Sequence, residues 1–375
     1  MQPPVPRARP MLTLGRIRGV PIEVAPSWLL IGLLLTAVYG PIVHDAVPGV
    51  SNSTAYLASL GFSVVFALCI LAHELGHTLV SGALGYPVKR VVLFLLGGVS
   101  EIEGEPTRAR HELLISVAGP LVSVLLAAGA FGGYVATDAA SLPGVLFALL
   151  AWSNIILAAF NLLPGLPLDG GRILRAAVWG CGASASTGTR VAAWSGRVLA
   201  VLVAAAALAL DRGPDGIAAA ILTFVLAGYL WVSASQSLKV AELMGRLPEV
   251  DVASLLRPGL LVPADLSIAE ALRRVWETNA RGLVVLDRSE QPSAIVDEHA
   301  IELVPPERRA WVAVNEVARP LEPGLLVPAG LGAKDLLEHM QRTPAREYLV
   351  VETDGSPAGI IATADFASKL KGPAR

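Results

Sequence analysis

Cysteine is scarce in this chain. Cys69 and Cys181 are the only two in 375 residues, both among apolar neighbours, so no disulfide framework holds the fold. Charge is scarce too. Only 16% of residues are charged, against about 25% in a soluble globular chain. The deficit is uneven: 25 charged residues fall in positions 1–240 and 35 in positions 241–375. Net charge is +3 in the first stretch and −5 in the second, too small on either side for a nucleic-acid partner. What fills the space is apolar, 54% of all residues. The first stretch has the composition of a membrane protein and the second that of a soluble domain, which predicts two domains, 1–240 and 241–375.

Six apolar runs read as spans at about 27–43, 56–84, 111–135, 145–163, 194–210 and 217–238, near the roughly 17–25 residues that cross a bilayer. A signal peptide would also offer a basic start, but further runs follow and no small-x-small cleavage site stands out. One set of connections holds Arg7, Arg9, Arg16, Arg18, Lys89, Arg90, Arg108, Arg110, Arg172, Arg175, Arg190, Arg197 and Lys239; the opposite set holds only Arg212. The asymmetry predicts that both termini, and everything after residue 240, face the cytoplasm. The segment Val88–Gly104 is β-branched and interrupted by Gly97-Gly98. It reads as a short hairpin or re-entrant strand in the cytoplasmic leaflet, tolerable there only if protein or a water cavity covers its backbone; the plainer alternative is a loop resting on the headgroups.

The second run contains Ala72-His73-Glu74-Leu75-Gly76-His77. Ionisable residues in a membrane helix are costly and face the bundle interior or water, which makes them a functional candidate. Positions i and i+4 lie about 40° apart on a helix, so His73 and His77 share a face and can supply two corners of a tetrahedral zinc site. Glu74 is rotated about 100° away, beside the metal, where its carboxylate can take a proton from bound water. This is the His-Glu-x-x-His pattern of zinc hydrolases. The plainer alternative is two buried histidines satisfied by the backbone.

A catalytic zinc needs a third protein ligand and an open position. The candidate is Asp169, in Asn161-Leu-Leu-Pro164-Gly-Leu-Pro167-Leu-Asp169-Gly170-Gly171-Arg172. Pro164 and Pro167 unwind the chain, and the glycines leave room for a tight turn that brings the carboxylate to the metal. Depth supports the pairing: at 1.5 Å per residue, His73 lies about 25 Å below Tyr56 and Asn161 about 24 Å below Val145 along spans of the same direction. Without the histidines, Asp169 would read as an exposed turn carboxylate.

The HELGH sequence followed by NLLPGLPLDGG in a polytopic chain resembles the site-2 protease family of intramembrane zinc metalloproteases. Gly15 to Trp28 resembles the entry to the first span in the bacterial branch with regulatory domains, and Ala118-Gly119-Pro120-Leu121-Val122-Ser123 resembles the Gly-x-x-x-(Asn/Ser/Gly) feature of the third span. The resemblance implies one Zn2+ per chain at His73, His77 and Asp169, Glu74 as general base and Asn161 near the reaction centre. It implies a bacterial plasma-membrane protein acting on single-pass transmembrane substrates, such as anti-sigma or transcription factors. Such a substrate must unwind locally, and Val91–Gly98, with Gly97 and Gly98, is expected to pair with it as an added strand.

Residues 259–301 and 324–366 align without a gap at an offset of 65, with 14 identities in 43 positions. Each copy reads as strand, helix (Ile268–Thr278; Ala333–Thr343), strand (Leu283–Leu286; Tyr348–Val351), turn and strand, predicting two packed copies of one α/β module at about 250–305 and 312–371. The pattern resembles a tandem CBS-domain pair, which implies an adenine nucleotide or, in the alternative, dimerisation without a ligand. The second copy ends Gly359-Ile-Ile-Ala362-Thr363-Ala364-Asp365, and the resemblance makes Asp365 the ribose-binding residue. The first has Ala300 opposite Asp365 and acids, among them Asp297, where a phosphate would approach, so at most one nucleotide per chain is expected. The expected fold is therefore a polytopic α-helical membrane protein, six transmembrane helices with a small membrane-associated β segment, followed by a cytoplasmic α/β CBS pair. A CBS-regulated ion or metal transporter is the competing function. The spans show no internal repeat of the kind many transporters carry, and two histidines around a glutamate suit hydrolysis better than permeation. An inactive membrane scaffold is opposed by the intact Glu74.

Overall fold

The computed structural model describes residues 12–94, 97–209, 214–296 and 298–371. The chain divides into two compact units, Met1–Glu242 and Leu243–Arg375, two residues beyond the boundary expected from charge density. Arg7, Arg9, Arg212, Asp297 and the Leu95-Leu96 tip of the expected hairpin lie outside the described residues.

The first unit opens with β1 (Leu12–Ile17) and β2 (Val20–Val24), joined by Arg18 and Gly19 at φ 51° and 85°. Two left-handed residues in a two-residue loop form a tight antiparallel hairpin. Helix α1 (Ser27–Ala46) follows, then α2 (Asn52–Ala83), whose first turn is capped by Ser51 Oγ accepting from Thr54 N at 3.2 Å. After β3 (Val88–Phe94) and β4 (Gly97–Ile102) come α3 (Ala109–Val135), α4 (Leu142–Asn161), α5 (Asp169–Gly180), α6 (Ala185–Ala209) and α7 (Pro214–Arg246). Six of these helices are long and apolar enough to cross a membrane. Leu29, Leu30 and Leu33 on α1 are 63%, 63% and 64% exposed, a face suited to lipid.

Three sequence expectations change here. The β segment is a four-stranded sheet in the order β1-β2-β3-β4, with β2 parallel to β3. A strand from before the first span thus covers one side of the hairpin, and the ladder groups of β3 are shared with β2 and β4. An added strand cannot pair with Val91–Phe94; β4 is the edge. Arg172 and Arg175 lie on α5, a helix the sequence reading did not anticipate because α4 ends at Asn161, only eight positions before Asp169, with Pro164 and Pro167 in between. Arg197, expected in a connection, sits about 18 Å along α6. Its guanidinium lies 4.9 Å and 5.1 Å from the Trp194 and Trp231 rings and donates to Ser235 Oγ at 3.2 Å, so aromatic faces and a hydroxyl replace its water.

The second unit is built twice. One copy has β5 (Leu260–Pro263), α8 (Ile268–Thr278), β6 (Leu283–Leu286), β7 (Pro292–Val296) and α9 (Glu298–Glu302), with β8 (Ala318–Pro320) against β7. The other has β9 (Leu326–Pro328), α10 (Ala333–Arg342), β10 (Glu347–Val351), β11 (Pro357–Ala362) and α11 (Thr363–Lys371). First and second strands are parallel and second and third antiparallel in both. The segment leading into the second copy edges β7, and Arg257, leading into the first, exchanges backbone bonds of 2.8 and 2.9 Å with Ile360 of β11. This reciprocal exchange puts Val284 and Ile295 of the first copy into one core with Val327, Tyr348 and Ile360 of the second.

Candidate metal centre and active site

On α2, the four-residue spacing brings His73 and His77 to one buried face, 3% and 4% exposed. Their Nε2 atoms are 3.3 Å apart. Asp169 Oδ2 lies 3.1 Å from His73 Nε2 and 3.2 Å from His77 Nε2. A tetrahedral zinc with donors at 2.0–2.1 Å has donor–donor edges of about 3.3–3.4 Å. The three atoms therefore fit one face of such a site, and two imidazoles with a carboxylate suit zinc chemically. Among the described residues this is the one cluster of three metal-ligating side chains that could hold an ion.

Outer partners orient both rings. His77 Nδ1 donates to Ile115 O at 2.6 Å, and a carbonyl can only accept, so Nε2 keeps its lone pair for a metal. His73 Nδ1 lies 2.8 Å from Ser123 Oγ. Between them on α3, Gly119 leaves the space the rings need: a Cβ there would overlap His77 Nε2 and lie 2.5 Å from His73 Nε2.

Asp169 is delivered differently from expectation. It opens α5 rather than sitting in a turn, and Leu168 is the N-cap. The glycines after it serve packing. A Cβ on Gly170 would strike the Leu162 and Leu163 carbonyls, and one on Gly171 the Leu166 backbone nitrogen, so two glycines let α5 begin against the loop that ends α4. That loop is tied to α6 by Leu166 N donating to Ala192 O at 3.0 Å and by Ser195 Oγ donating to Pro164 O. Behind it, fully buried Glu112 on α3 accepts from Arg172 Nε at 3.1 Å and lies 3.4 Å from Arg175 Nη1. Glu112 was missed; the available signal was a lone acid in the first turn of a span.

Glu74, 8% exposed, lies against β4. Its Oε2 accepts from Ser100 Oγ at 2.9 Å, and a Cβ on Gly98 would lie 2.9 Å from its Cδ. Gly97, at φ 137°, has open space around it. Asn161 is the last residue of α4, and its Nδ2 donates to Leu157 O at 3.0 Å, a bond within its own helix rather than with the three ligands. In the second unit, Asp365 accepts from Arg257 Nε at 2.6 Å and Nη2 at 2.9 Å. Both of its oxygens are therefore occupied by a guanidinium.

The model of Peptidase family M50 matches residues 61–142 and 136–206, the stretch that holds this centre. A Synechocystis protein named as a zinc metalloprotease is 28% identical over 368 residues, covering 96% of this chain and 95% of its own. The solved site-2 protease from Methanocaldococcus jannaschii is 26% identical with a TM-score of 0.43, covering 61% of this chain and 95% of that one. The CBS domain of the bacterial CNNM/CorC family Mg2+ transporter is 19% identical with a TM-score of 0.30, over 41% of this chain and 96% of that one. The site defines a multi-pass membrane zinc metalloprotease. The membrane unit belongs to Peptidase family M50, the site-2 proteases.

Proposed function

We propose that this protein cuts a transmembrane helix of single-pass membrane proteins within the bilayer, in regulated intramembrane proteolysis that releases an anti-sigma or transcription factor. The observation that carries the reading is the centre itself, with three buried ligand atoms on converging helices and, next to His73 on α2, the Glu74 carboxylate held against a face of the edge strand β4. His73, His77 and Asp169 would hold the zinc; when bound, it polarises the scissile carbonyl and lowers the pKa of water beside it. Glu74 takes the proton from that water and delivers it to the leaving amine. The locally unwound substrate adds as a strand to β4, whose outer edge has no partner strand among the described residues. Of the expected segment Val91–Gly98, this keeps Gly97 and Gly98 and moves the rest of the docking edge onto β4, Gly97–Ile102.

The basic residues of the connections support a bacterial plasma-membrane orientation with cytoplasmic termini. The second unit acts as the regulatory part, through dimerisation or through one weakly bound adenine nucleotide. At Asp365 the nucleotide would have to displace Arg257, a cost that favours weak binding. Calorimetry of the full chain with ATP, ADP and AMP tests this: two sites per chain, or one that survives Asp365→Ala, defeats it. For the protease reading, the test is co-expression with candidate single-pass membrane proteins. Fragments that disappear with Glu74→Gln are expected; fragments that persist in that variant overturn the reading.

A further inference from the structure

Successive residues of a strand point to opposite faces, so Gly98 and Ser100 share one face of β4. That face meets Glu74. At Gly98 the missing side chain leaves room for the carboxylate; a Cβ would lie 3.0 Å from Oε1. At Ser100 the hydroxyl reaches Glu74 Oε2 at 2.9 Å and the Glu74 carbonyl at 3.1 Å. Thr78 Oγ1, one turn further along α2, lies 3.1 Å from Ser100 Oγ and 3.0 Å from the Glu74 carbonyl.

Ser100 and Thr78 have one hydroxyl proton each. A carboxylate is the stronger acceptor, so the Ser100 proton goes to Oε2, and the Thr78 proton serves the Glu74 carbonyl. One carboxylate oxygen is thereby pinned to the sheet. The side chain cannot turn away without breaking that bond. Ser100 is 5% exposed, so bulk water does not readily replace its hydroxyl.

We propose that Ser100 is the positioning residue of Glu74, and that the edge strand offered to the substrate is the same strand that sets the base. Substrate pairing along β4 would steady Ser100 and with it the carboxylate, so that docking and base alignment are one event. This rests on Glu74 being the base.

The test uses the full-length protein reconstituted in lipid vesicles with a single-pass reporter helix that the parental enzyme cuts. Ser100→Ala and Ser100→Cys, the latter close in size but a weak donor, are expected to lower kcat about tenfold or more, with KM and bound zinc unchanged. Ser100→Thr, which keeps the hydroxyl, recovers most of the lost rate. Infrared difference spectra of the metal-free protein, each background against the same background carrying Glu74→Gln, report the Glu74 carboxylate band. That band should shift with Ala and Cys and stay in place with Thr. Parental kcat in Ser100→Ala, or a loss confined to KM or to zinc content, overturns the proposal. If Glu74→Gln is inactive while Ser100→Ala is normal, the positioning role alone fails; if Glu74→Gln still cuts, the base assignment fails first.

Discussion

Gly119 of α3 stands where any side chain would occupy the space of the His77 Nε2 atom. The close approach of α2 and α3 at this level is what lets Ile115 O and Ser123 Oγ reach the outer nitrogens of the two imidazoles. One glycine thus admits both the ligands and the groups that orient them.

Gly119→Ala is therefore expected to weaken zinc binding by more than the roughly 10–100-fold typical of a lost outer partner. Ser123→Ala, which removes only the partner of His73, should fall within that range. Competition with a zinc chelator in detergent measures both. Equal zinc affinity in Gly119→Ala and the parent would contradict the packing.

Glu74→Gln should keep its zinc and lose proteolysis. The amide occupies the same place and still accepts from Ser100 through its oxygen, but it cannot take up the proton. His77→Ala should lose bound zinc and activity together, because it deletes a ligand. Metal content by atomic emission, set beside cleavage of a reporter helix, separates the two outcomes.

Gly98→Val should reduce kcat sharply while zinc remains, because the new side chain must displace the Glu74 carboxylate. Gly97→Val acts by another route, with no neighbour within 4 Å but a φ of 137° that valine does not adopt. A joint replacement would mix the two effects, so strand pairing needs a cleaner probe. The better one is a substrate series in which N-methylation of alternate amides removes individual donors; only amides facing β4 should raise KM.

Glu112 is fully buried between Arg172 and Arg175, on the helix that carries Asp169. Removing one partner of a buried ion pair costs about 3–5 kcal/mol, because a charge is left without compensation. Glu112→Gln and Arg172→Gln should each lower the thermal midpoint, and the double variant should lose less than their sum. Additive losses in that cycle would mean the pair is uncoupled.

The readable part of this protein was whatever local geometry decides. Six spans follow from run length, and the His73–His77 face follows from the helical period, which fixes i and i+4 without reference to any other element. The duplicated module is written as a 65-residue offset, and its helix Ile268–Thr278 and strand Leu283–Leu286 lie where the alternation put them. Asp169 was legible as a candidate partner of the two histidines only because a zinc site needs a third ligand; that it opens a helix was hidden by the two prolines before it. Everything that depends on how elements dock was left to the tertiary structure. The Ser100–Glu74 bond spans 26 positions, Ser123–His73 spans 50, Arg172–Glu112 spans 60 and Arg257–Asp365 spans 108. The parallel pairing of β2 with β3, which adds the β1–β2 hairpin to the sheet, belongs here as well. No period or propensity sets such pairs. They depend on the depth and rotation at which each helix and strand comes to rest, which the packing of all the others decides.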